Sequence, residues 1–125
     1  MEDRWRDEQL GNWVSDFLID DAGQNVSADL APYAGEILKR FMQSACDHRG
    51  SSPDQIEEAD ARHGFLEGLA HVDLPTAVKD EIPALLRLFL EDLGQRGRLA
   101  QAQTVSAMIH ALTPQYRDLN SDKTP

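Results

Sequence analysis

The run Pro83-Ala84-Leu85-Leu86-Arg87-Leu88-Phe89-Leu90, continued by Leu93, constrains this chain more than any other segment. A helix built from it is apolar nearly all round, because Arg87 is the single polar residue that its leucines flank. Such a helix belongs at the buried centre of a bundle, with other helices on several sides. The whole chain of 125 residues is about one domain's worth.

The remaining segments read as helices too. Trp5, Leu10, Trp13, Val14, Phe17 and Leu18 recur at three- and four-residue spacings, which predicts a first helix over 2–19. Its early acids, Glu2, Asp3, Asp7 and Glu8, complement the helix dipole. A second helix follows Ser27, has Pro32 near its first turn, and carries Leu30, Tyr33, Ala34, Ile37, Leu38, Phe41 and Ala45 as far as Cys46. Ser52 and Gln55 have capping-box spacing with Pro53 at the first helical position, which predicts a third helix from there to Val72. A short turn over 76–81 precedes the fourth helix, which Pro83 opens and Gly94 closes. The fifth runs from Leu99 to Leu112 and is stopped by Thr113-Pro114.

β-branched residues never alternate, and no Asn-Gly or Asp-Gly pair offers a hairpin turn. No repeat of solenoid period is present. The expectation is an all-α fold: one compact bundle of five helices plus a short helical turn. Residues 1–117 form its single domain, and 118–125 a frayed polar tail.

Composition narrows the function classes. Hydrophobic residues make up 41% and charged residues 27%, as in ordinary globular proteins. One cysteine, Cys46, excludes an intramolecular disulfide framework. No apolar run approaches the roughly 20 residues that span a bilayer, and the first residues are charged where a secretory signal is apolar. A cytoplasmic protein without a membrane partner is expected.

Three constellations carry candidate chemistry. Asp60, His63, Glu67 and His71 share one face of the third helix and are suitable zinc or iron ligands. An acid three residues before a histidine is also a spacing used in di-iron bundles, but the second copy such a site needs is missing, since Ala107 stands three residues before His110. The bland reading is a polar strip beside the core. Cys46 and His48 lie close in sequence, but a helix C-terminus raises a thiol pKa, so Cys46 reads as a small apolar packer. No catalytic residue is assigned and no cofactor is expected.

Charge is the third signal. The net charge is -10, with 6 basic against 14 acidic groups in residues 1–62 and 6 against 8 in residues 63–125. Arg96, Arg98 and Arg117 stand in a stretch, 93–117, without any acid. They could present the fifth helix to DNA, although three arginines on an acidic body are few for phosphate contacts. They could equally answer the acidic half, within the chain or across a two-fold interface. Trp5 and Trp13, eight residues apart, are candidate interface anchors, or lids of the core.

Taken together, these features point to a small acidic helical interaction module without catalytic activity, binding another protein or itself as a homodimer. A metal-binding helical protein using the carboxylate–histidine strip is the alternative. A DNA-binding regulator using 96–112 is the second, with nucleic acid the disfavoured partner.

Overall fold

The computed structural model describes residues 2–19, 26, 28–50, 53–69 and 74–121, with only the backbone for 2–7, 76 and 119–121. Among them there are five helices and no strand, as the spacing predicts. These are α1 (Glu2–Ile19), α2 (Ala34–Arg49), α3 (Glu58–His63, widening into a π turn Gly64–Gly68), α4 (Thr76–Gln95) and α5 (Ala102–Ser121). A 3-10 turn, Pro53–Gln55, precedes α3. The helices neighbour one another in a ring, α1–α2–α3–α5–α4 and back to α1, with α2 also touching α4 across the middle. α4 therefore shares the centre with α2 and does not hold it alone. It buries Ile82, Leu85, Leu86, Phe89, Leu90 and Leu93, yet keeps a strip of Asp80, Ala84, Arg87 and Glu91 at least partly in water.

α1 forms over the expected residues and turns Leu10, Trp13, Val14 and Phe17 inward. The Phe17 ring meets Phe89 of α4 edge-on at 5.4 Å, a favoured aromatic geometry. α2 begins later than expected, at Ala34, because the buried Leu30 anchors a turn in which the Tyr33 N–H donates to the Leu30 carbonyl at 2.8 Å. It also ends later. Gly50 adopts φ +71° and its N–H returns to the Cys46 carbonyl, so the helix reaches Arg49, and only glycine takes this left-handed cap without strain.

The third helix departs most from expectation. The chain is extended at Glu57, and α3 starts after it rather than at Pro53. Buried Ile56 draws the chain inward, and the Asp60 carboxylate accepts the Glu57 N–H at 2.9 Å, which caps the helix five residues further along. Ser52, the expected cap, lies outside the described residues. A Cβ at Gly64 would stand 2.6 Å from the Phe41 carbonyl oxygen, and one at Gly68 would stand 2.5 Å from Ser44 Oγ. These two glycines let α3 press directly onto the α2 backbone.

Both internal prolines contradict the expected boundaries. Pro83 lies inside α4 and Pro114 inside α5. Each removes an N–H and costs about 3 kcal/mol in an isolated helix. Packing on both sides overrides this cost: Ile82, Leu85 and Leu86 are buried around Pro83, and Ile109 and Tyr116 around Pro114. Thr113 adds a side-chain bond to the weakened turn, its hydroxyl donating to the Ile109 carbonyl at 2.8 Å. Tyr116 is the anchor beyond the proline. Its ring stacks on Phe65 at 4.5 Å, and its hydroxyl donates to the Leu69 carbonyl at 3.2 Å.

Candidate functional site

Asp60 is fully buried, and its carboxylate joins the end of α2 to the start of α3. Oδ1 accepts from His48 Nδ1 at 2.8 Å and Arg49 Nε at 2.9 Å. Oδ2 accepts from Arg49 Nη2 at 2.7 Å and the Glu57 N–H at 2.9 Å. Four donors match the four lone-pair sites of a carboxylate. The Arg49 fork holds the Asp60 carboxyl well below the usual carboxylate range, with His48 and the Glu57 N–H acting the same way and burial opposing them. In return Asp60 raises Arg49 above its usual value. His63 stacks on His48 with ring centroids 4.9 Å apart.

This geometry separates the four residues of the proposed metal strip. Asp60 turns inward and has no lone pair left for a cation, His63 covers His48, and Glu67 is exposed. His71 lies outside the described residues. Among the described residues no three His, Cys, Asp or Glu side chains are grouped to hold a metal. Cys46 is fully buried within α2.

The arginines 96 and 98 are engaged within the chain. Arg96 Nε donates to the largely buried Asp92 at 2.8 Å, and Arg98 Nη2 donates to Asp16 of α1 at 2.7 Å. The Arg98 guanidinium also lies over the Trp13 ring, 5.8 Å from its centroid, within cation–π range. Trp13 is thus a buried lid of the core roofed by Arg98, and the α4–α5 loop is tied to α1. The side chain of Trp5 lies outside the described residues. Arg117 stands apart from this group, on the far half of α5.

Arg117 belongs instead to a surface between α4 and α5 that spacing along one helix could not reveal. α4 contributes Asp80, Pro83, Ala84 and Arg87, and α5 contributes His110, Thr113, Pro114 and Arg117, to a notch of about 360 Å³. A second, open groove of about 650 Å³ continues along the same two helices past Glu91, Gly94, Ala102, Gln103, Thr104 and Ala107. Arg87 lines both. Its Nη1 lies 3.3 Å from His110 Nδ1. Guanidinium has no acceptor, so this contact makes Nδ1 the acceptor and puts the imidazole proton on Nε2. Among the described residues Arg87 Nε, shut from water, has no partner. The close approach of the helix ends shapes the groove, since a Cβ at Gly94 would stand 2.9 Å from that of Ala102.

Comparison of the chain with protein families, curated proteins and solved structures finds no match. No described helix is long and apolar enough to cross a membrane.

Proposed function

We propose that the protein is a non-catalytic interaction module that docks a second polypeptide, another protein or a second copy of itself, along the α4–α5 face. The observation that carries this reading is the continuity of the two hollows through Arg87. Together they give a long, open, shallow surface lined by small and polar side chains, suited to a bound segment of chain more than to an enclosed small molecule. The groups with the greatest chemical potential support the same view: Asp60 is saturated, Cys46 is sealed, and Arg96 and Arg98 hold the loop to α1.

Sedimentation velocity over a hundredfold concentration range, on wild type and Thr104→Arg, tests the reading. Thr104 is exposed and lines the groove, so the arginine blocks docking without touching the core. A two-chain species in wild type that Thr104→Arg reduces to one chain establishes the homodimer. If wild type stays single, a photo-crosslinker at position 104 is expected to capture a polypeptide that one at exposed Asn12 of α1 does not. Equal yields from both positions would remove the proposal.

A further inference from the structure

At one end of the proposed docking face, and from a different observation, we propose that the notch walled by Arg87, His110 and Arg117 is a binding site for a phosphate monoester. The argument starts from how the chain uses its arginines. Arg49, Arg96 and Arg98 each pair with a carboxylate. Arg87 pairs with none among the described residues, although acids outnumber bases 22 to 12 in the chain. Among the described residues its one hydrogen-bond contact is a histidine, and its enclosed Nε has no partner. A half-buried guanidinium without a carboxylate is unusual on stability grounds alone, and it is what an anion site requires.

The donors converge from two helices. Arg87 lies on the outward strip of α4, while His110 and Arg117 are seven residues apart on α5, two turns along one face. Arg87 fixes the His110 tautomer, so the Nε2–H is left to donate. Two guanidinium groups and one imidazole N–H supply donors for the three terminal oxygens of a phosphate ester, which carries between -1.5 and -2 charge at pH 7. A carboxylate has two oxygens and half the charge, and answers two guanidinium groups less fully. The notch, about 360 Å³ and open to solvent, has room for a phosphate and the group it esterifies.

Asp80 also lines the notch and is exposed. It repels an anion and can accept from a hydroxyl or amine next to the phosphate. A structural role for Arg87 gives Asp80 no part in phosphate affinity, so its removal is a discriminating measurement. The net charge of -10 helps the test: the body as a whole repels anions, so saturable phosphate binding must be local.

The experiment is a titration of the full chain with inorganic phosphate and with O-phosphoserine at low salt, followed through the His110 ring signals by NMR. Both are expected to saturate with one-to-one stoichiometry and millimolar dissociation constants. Arg87→Gln and Arg117→Gln should each weaken binding about tenfold, the loss of one charged hydrogen-bonding partner. Asp80→Asn should tighten it about two- to threefold, as expected for one removed like charge in a solvated site. Arg87→Lys, which keeps the charge but loses the fork, should fold like wild type and bind with intermediate affinity. Shifts that never saturate, or saturation that survives Arg87→Gln in a folded variant, would overturn the site. Saturation by inorganic phosphate but not O-phosphoserine would overturn the monoester assignment, and equal affinity for acetate would replace it with a carboxylate. None of these outcomes depends on whether the chain sediments as one copy or two.

Discussion

Two charged clusters on this molecule follow opposite rules. At the α2–α3 junction a buried carboxylate has four donors, each at 2.7–2.9 Å, and nothing is left over. At the α4–α5 notch an arginine has, among the described residues, one histidine contact at 3.3 Å and an enclosed N–H with no partner. The first arrangement stabilises the fold. The second is a local cost to stability, and sites that bind are where such costs are kept. The contrast sets a saturated carboxylate against a guanidinium that has no carboxylate partner among the described residues.

Substitutions should divide along the same line. The largest loss belongs to Asp60→Ala, which strands His48, Arg49 and the Glu57 N–H. About 3 kcal/mol is expected from chemical denaturation, the lower end for breaking a buried pair, because Arg49 can turn to water. Gly64→Ala comes next at about 1–3 kcal/mol, since its Cβ would meet the Phe41 carbonyl. Acid should act through the first cluster too. The folded Asp60 carboxyl sits below its unfolded value near 3.9, so its contribution is present above that pH and lost progressively as pH falls below it. The wild-type midpoint should drop further than that of Asp60→Asn between pH 5 and pH 2. Arg98→Gln, which breaks a partly exposed pair with Asp16, should cost no more than about 1 kcal/mol. Smallest of all, Arg87→Met should be neutral or raise the melting temperature, because it removes an unsatisfied donor. A loss above about 2 kcal/mol there would erase the distinction between the two clusters, since it is what losing a structural hydrogen bond to a charged group costs.

The sequence carried the fold class through spacing alone, and α1 and the apolar run of α4 could be read almost to the residue. The ends of helices were harder, because each is decided by contacts from elsewhere. Pro114 is a stop by local rules, but Tyr116 beyond it finds Phe65 and the Leu69 carbonyl, a gain that exists only once α3 and α5 are adjacent. Ser52 and Gln55 present a proper capping signal, yet the chain caps at Glu57, where the best local acceptor is the Asp60 that Arg49 and His48 hold in place. The notch was hidden for the same reason. Arg87 and His110 stand 23 residues apart on different helices, and no period of a single helix relates them. Arg117 shares its charge and its acid-free stretch of sequence with Arg96 and Arg98, but those two face α1 and Arg117 lines the notch.

Tyr116 also sets an order in time. Its hydroxyl reaches a carbonyl 47 residues earlier in the chain, so a ribosome has completed α1 to α4 before the ring that covers Phe65 exists. A chain that has not yet added Tyr116 lacks that cover for Phe65, and uncovered apolar surface of this kind promotes aggregation. The cover over Phe65 is complete only when α5 has continued past Pro114.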